Sequence, residues 1–170
     1  MDNNDILIRI RYALDIKNAD MIEIFKLGGI TVTKEDVIEL LQKSKDSFDE
    51  DDNEMVEDNR RCDNVMLEAF LNGLIIFKRG RQEPKAGQPE KPPMSIKNNG
   101  SVNNVLLKKL KIALSLTSED ILDILESAGV IVSKSELSAI FRKEGHKHYI
   151  ECGDRYARNF LKGLAIKYRG

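Results

Sequence analysis

Apolar residues along the chain recur at three- and four-residue steps, the period of helices with one buried face. Ile6, Leu7, Ile10, Ala13 and Leu14 form the first such face, with Arg9 and Arg11 turned away from it. Met21, Ile22, Ile24 and Phe25 form a second, Val37, Leu40 and Leu41 a third, and Val65, Met66, Ala69, Phe70, Leu74 and Phe77 a fourth. The residues between these faces read as helix punctuation. Asn3 and Asn4 precede the first face, and their side chains suit the free amides of a first helical turn. Asn18 is the expected cap of the second helix, and Gly28-Gly29 its expected end, because glycine takes the left-handed conformation that closes a helix. Ile30-Thr31-Val32 then reads as a short extended segment, after which Thr33 caps the third helix with Asp36 at capping-box spacing.

The same succession returns in the second half. Leu106, Leu107, Leu110, Ala113 and Leu114 repeat the first face. Residues 3–43 align with 103–143 at an offset of 100, matching Asn3-Asn4 to Asn103-Asn104, Ala13-Leu14 to Ala113-Leu114, and Gly29 to Gly129. Residues 62–80 (CDNVMLEAFLNGLIIFKRG) then match 152–170 (CGDRYARNFLKGLAIKYRG) at an offset of 90, pairing Cys62 with Cys152, Phe70 with Phe160 and Gly73 with Gly163. The first copy therefore holds ten extra residues between Lys43 and Cys62. In the second copy Ser118 is the expected cap of the second helix, Ser133 and Glu136 give the clearer capping box, and Tyr156, Phe160, Leu161 and Leu164 carry the fourth face. A glycine inside a helix costs about 1 kcal/mol relative to alanine. Its presence at Gly73 and Gly163 points to another helix crossing there at short distance.

The expected fold is all-α: two homologous four-helix repeats, residues 1–80 and 103–170, joined by a proline-rich linker over 81–102 and docked as a pseudo-twofold pair. The linker holds all four prolines of the chain, which suits an extended connection. Composition agrees with a soluble globular protein: 41% of residues are hydrophobic and 32% charged. No apolar run reaches the roughly 20 residues of a membrane-spanning helix, and the acidic, polar start MDNNDILIRI lacks a secretory pattern. Two cysteines are too few for a disulfide scaffold. A cytoplasmic location without membrane partners is the expectation.

Net charge is −1, but it is unevenly spread. Residues 1–80 hold 11 Lys and Arg against 18 Asp and Glu, whereas residues 103–170 hold 12 against 8. The acid excess gathers in residues 46–58, with eight carboxylates and no basic residue. Counted from Asp49, the sixth position is Glu54 and the twelfth Arg60, so the calcium-loop requirement for glycine and glutamate fails. The stretch reads as a solvated acidic segment.

The two histidines of the chain fall in HKHYIEC. With Cys152 and Asp154, His146 and His148 make a candidate polar site, since imidazole and thiolate suit zinc or a nucleophilic pair. No fourth ligand stands out and the first copy lacks both histidines, so a polar connection is favoured and no metal, cofactor or catalytic residue is assigned. Residues 20–43 and 120–143 each resemble a helix-turn-helix in outline, but the third helix is nearly bare of the arginine, asparagine and glutamine that read base edges. Basic residues with the capacity to grip anions are Lys108, Lys109, Lys111, Arg142, Lys143, Arg155, Arg158 and Lys162.

At NNDILIRIRYAL, LGGITVTKED, FLNGLIIFKRG, NNVLLKKLKIALSL and HKHYIECGDRYARNFLKGLA, the chain resembles the YehS-like bacterial family of duplicated domains of unknown function. The resemblance covers nearly the whole chain. It implies a bacterial, cytosolic, largely helical two-repeat protein and carries over no reaction, cofactor or catalytic residue. The acidic stretch of the first copy is longer than the family pattern. The functional expectation is a non-enzymatic binding or regulatory adaptor whose macromolecular partner is a protein rather than nucleic acid. The alternative is nucleic-acid binding through the basic second repeat.

Overall fold

The computed structural model describes residues 2–41, 62–80, 96, 101–142 and 146–169. The acidic stretch 46–58, Lys143 and most of the linker lie outside the described residues. Among the described residues the secondary structure is entirely helical. The first repeat contains α1 (Asn3–Leu14), α2 (Asn18–Leu27), α3 (Lys34–Leu40) and α4 (Asn64–Arg79). The second contains α5 (Val102–Ala113), α6 (Ser118–Ser127), α7 (Lys134–Phe141) and α8 (Asp154–Arg169).

Each repeat is knitted by the packing of its second helix on its fourth, α2 on α4 and α6 on α8. These crossings explain the intrahelical glycines. A Cβ added at Gly73 would lie 1.8 Å from the Ile24 carbonyl oxygen, and one at Gly163 would lie 2.2 Å from that of Ile124. Gly28 meets α4 just as closely, 1.8 Å from the oxygen of Ala69. Gly29 and Gly129 take positive φ, 98° and 89°, and the next residues donate back to Phe25 and Leu125. That geometry closes α2 and α6 in the way glycine permits.

The two repeats dock reciprocally: α1 of the first lies on α8 of the second, and α5 of the second lies on α4 of the first. A twofold pairing of the copies demands that pattern. One continuous core runs through both, with Phe25, Phe70 and Phe160 fully buried and the rings of Phe25 and Phe70 5.1 Å apart. Because α4 is packed by both α2 and α5, every residue from Met66 to Leu74 is buried. The expected one-sided face of this helix is corrected accordingly: Val65 and Phe77, placed in it by spacing, are exposed.

The caps also depart from expectation at definite places. Asp2, not Asn3 or Asn4, caps α1, accepting from the Asp5 amide at 2.8 Å. The asparagines are released for tertiary bonds. Asn4 donates to the Leu40 carbonyl at 3.0 Å and accepts from the Cys62 amide at 3.0 Å. Asn104 bonds to the Ile140 and Ile150 carbonyls and the Cys152 amide at 2.9, 2.9 and 2.7 Å. One amide side chain thus ties the start of the first helix of each repeat to the end of the third and the approach to the fourth. Asn18 is the first residue of α2 rather than its cap, and accepts from Arg11 at 3.0 Å. Thr117, one residue before Ser118, caps α6 in a reciprocal capping box with Asp120. Thr33 and Asp36 form the other complete box, and Ser133 caps α7 by accepting from the Glu136 amide at 3.1 Å.

Candidate functional site

The sequence offered two groups of candidate residues, and the fold treats them differently. In the polar group, Cys152 is buried while His146 and His148 are exposed. The imidazoles lie 5.7 Å apart, and Nδ1 of His146 accepts from the His148 amide at 3.0 Å. Burial pushes the Cys152 thiol up to about 12, with Asp154 adding to the shift. Cys62 is likewise pushed up to about 12, first by burial and then by Asp63 and Asp2. A thiol held so far above physiological pH is protonated and therefore a poor nucleophile or ligand. Asp154 accepts from Asn103 at 2.8 Å, and chiefly that bond holds its carboxyl below the usual range, against the opposing effect of burial. Among the described residues no group of three or more His, Cys, Asp or Glu is placed to hold a metal ion.

In the basic group, the correction is Lys109. It is buried on α5, and its Nζ lies 3.3 Å from Oε2 of Glu68 and donates to Oδ1 of Asn72, both buried on α4. Burial lowers the pKa of this ammonium, and Glu68 opposes the shift. The other oxygen of Glu68 accepts from the Ile96 amide at 2.7 Å, so this linker residue closes the network from outside. Lys109 is therefore committed to the seam between the repeats and is withdrawn from the anion-gripping set. Lys111 sits with its ammonium 5.3 Å from the centre of the Phe141 ring. Lys108 is exposed on α5, and Arg142 is exposed in the extended residue that follows α7.

Arg155, Arg158 and Lys162 remain together. They follow one another on α8 at three- and four-residue spacing and all are exposed, so they form one stripe about 10 Å long at about 1.5 Å per residue. Ile166 and Arg169 continue the same helix face. Arg169 is anchored across the seam, donating to the Tyr12 carbonyl at 3.0 Å and to Oδ1 of Asp15 at 3.3 Å, with its guanidinium 4.3 Å from the centre of the Tyr12 ring. Beside the head of the stripe, Gly129, Val130, Ile131, Arg155 and Tyr156 line a shallow cavity of about 260 Å³. The Tyr156 hydroxyl donates to Glu136 at 3.3 Å.

Sequence reasoning missed Glu68 and Asn72 as the partners of Lys109 in this seam. A signal was present for Lys109, which falls among Val102, Val105, Leu106, Leu110 and Ala113 on the apolar side of α5. A lysine on such a stripe calls for a buried acid on a facing helix.

These features define a duplicated, all-helical protein whose copies dock through matching helix pairs. A family model described as "Protein of unknown function (DUF1456)" matches residues 3–80 and again residues 103–170, and the chain belongs to that family. It is 41% identical over 167 residues to the uncharacterized protein YehS of Escherichia coli (strain K12), a match covering 98% of this chain and 96% of that protein. No solved structure matches the chain. Among the described residues no helix is long and apolar enough to cross a membrane.

Proposed function

We propose that this chain is a non-enzymatic binding protein of the cytoplasm that holds a macromolecular partner on the exposed helix faces beside its inter-repeat seams. One observation carries the reading: the side chains with the greatest chemical potential are spent on the fold. Cys62 and Cys152 are buried with raised thiol pKa values, and each has its backbone amide held by an asparagine of the first helix of its repeat. Chemistry at a site needs a nucleophile, a base and an electrophilic stabiliser that converge, and the exposed imidazoles of His146 and His148 stand apart from such a set. Exposed Val65 and Ile131, at 61% and 86% exposure, offer contact area in the two repeats instead.

The test places a photo-crosslinking amino acid at Val65, Ile131 or Ile166 of the full chain and irradiates it in bacterial extract, with metal content measured on the same preparation. The reading expects discrete macromolecular adducts that depend on position. Stoichiometric zinc that disappears in His146→Ala or Cys152→Ala would overturn it in favour of a metal site.

A further inference from the structure

The duplication supplies a control that a single domain lacks, because each seam has a copy-related counterpart. On the α4·α5 seam, Lys109 meets Glu68 and Asn72. The offsets of 100 and 90 place Arg9 at the position of Lys109, Arg158 at that of Glu68 and Lys162 at that of Asn72. The α1·α8 seam thus presents three cations where its counterpart has a cation, an acid and an amide. All three are exposed, and none forms an ion pair among the described residues. Arg155 extends the group by a further turn, where α4 carries Val65.

We propose that this cationic stripe, Arg9 with Arg155, Arg158 and Lys162, binds the phosphate backbone of a nucleic acid. The proposal rests on the binding-protein reading above and names the partner class. Like charges gathered on one surface repel, and an anion removes that cost. One nearby carboxylate offsets part of this charge: Asp154 lies close enough to Arg158 to feel its charge while also accepting from Asn103. Asp120 of α6 lies on another flank of α8, beside Lys167 and Tyr168.

Two features favour a phosphate backbone over an acidic protein segment. Protein interfaces are anchored by clusters of buried aromatic or aliphatic side chains, and here the exposed apolar groups are dispersed: Ile131 at the head of the stripe, Ile166 further along α8, and Tyr12 with one face stacked by Arg169. Backbone contacts need no such anchor, since affinity comes from neutralised phosphates and released counterions. Repeated guanidinium groups match phosphate geometry. The bareness of α7 in base-reading side chains fits the same partner, predicting binding without sequence preference.

The experiment measures fluorescence anisotropy of the full chain with a labelled 20-nucleotide oligo-dT and a labelled 20-base-pair duplex, across salt. Polyglutamate of equal charge serves as competitor. With about four phosphates neutralised, single-strand affinity falls about fifty-fold between 50 and 200 mM salt. Arg158→Glu with Lys162→Glu weakens binding more than ten-fold, whereas Lys26→Glu with Lys34→Glu, equal in charge change but off the stripe, leaves it within two-fold. The duplex arm identifies which strand form is preferred, and either form supports the proposal. No binding at 25 mM salt, equal loss in both charge-reversed pairs, or equal competition by polyglutamate overturns it. If nucleic acid fails while position-dependent protein adducts persist, the stripe assignment falls and the binding-protein reading stands.

Discussion

The α4·α5 and α1·α8 seams are built from matching helix pairs, yet one is sealed and the other is open. In the first, a buried ammonium, carboxylate and amide satisfy one another and a linker residue covers them. In the second, the equivalent positions carry exposed cations, and the tie between repeats moves to the helix ends, where Arg169 reaches Tyr12 and Asp15. Duplication fixes where residues meet; the side chains then decide whether a meeting point becomes interior or surface. Buried polar groups fix register in some other assemblies, and the sealed seam holds such a group where the two repeats meet.

The sharpest way to break this comparison is to remove the cation from the sealed seam. Lys109→Met leaves the Glu68 carboxylate buried without its ion partner, and stability should fall by about 3–5 kcal/mol. Arg9→Met, at the equivalent exposed position, should change it by less than about 0.5 kcal/mol. Combining Lys109→Met with Glu68→Met should recover much of the loss, because a buried pair replaced by apolar groups of similar volume is often neutral. Urea unfolding followed by circular dichroism reads all three. Equal costs for Lys109→Met and Arg9→Met would mean that the seams do not differ as their side chains indicate.

A second contrast lies within the repeats. The crossing of α2 on α4 puts Gly28 against the Ala69 backbone, while the second copy has Ala128 and Asn159 at these positions. Gly28 has an ordinary φ of −82°, so alanine there is limited by space alone. Gly28→Ala should cost about 1–3 kcal/mol through forced separation of the helices. Ala128→Gly should cost under about 1 kcal/mol, a backbone effect only. Thermal melts of the pair of variants test the order.

Much of this architecture was legible because it is local. The helix faces, Gly29 and Gly129 closing α2 and α6, Thr33 as a cap, and Gly73 and Gly163 as close crossings follow from periodicity and the steric properties of glycine. What escaped depends on docking. Periodicity within α5 cannot say that α4 will cover Lys109, and the exposed set Arg155, Arg158 and Lys162 was read on equal terms with a lysine that the fold buries. Asn4 and Asn104 escaped for a related reason. An asparagine beside a helix start looks like a cap, and only the chain returning through Cys62 or Cys152 shows that its amide is used elsewhere.

The thiols should behave alike in the two copies, which sharpens the comparison by giving it a baseline. Both are held near 12 in the folded chain, against about 8.5 when unfolded. A raised thiol pKa contributes stability that is fully present below the unfolded value and is lost as pH rises above it. Between pH 8 and 9.5 the native state should lose about 1 kcal/mol per thiol relative to Cys→Ala controls. Labelling by a thiol reagent at pH 8 should track unfolding for Cys62 and Cys152 together. Rapid labelling of either in the native chain would contradict its burial.

The smallest expected effect belongs to the open seam's own tie. Arg169 is partly exposed, and a surface ion pair contributes about 0–1 kcal/mol, with a comparable addition from its stacking over Tyr12. Arg169→Ala should therefore cost about 1 kcal/mol or less, and raising salt to 1 M should remove the Asp15 share while leaving the stacking share. The equivalent Arg79 has Ile112 and Ser115 where Arg169 has Tyr12 and Asp15, so Arg79→Ala should be nearly silent and independent of salt. Arg169→Lys discriminates further: it keeps the charge but loses the planar face that lies over the ring, so it should retain the salt-sensitive part alone. The tie at the open seam's end is thus weak and exposed, whereas the sealed seam keeps its ion pair buried.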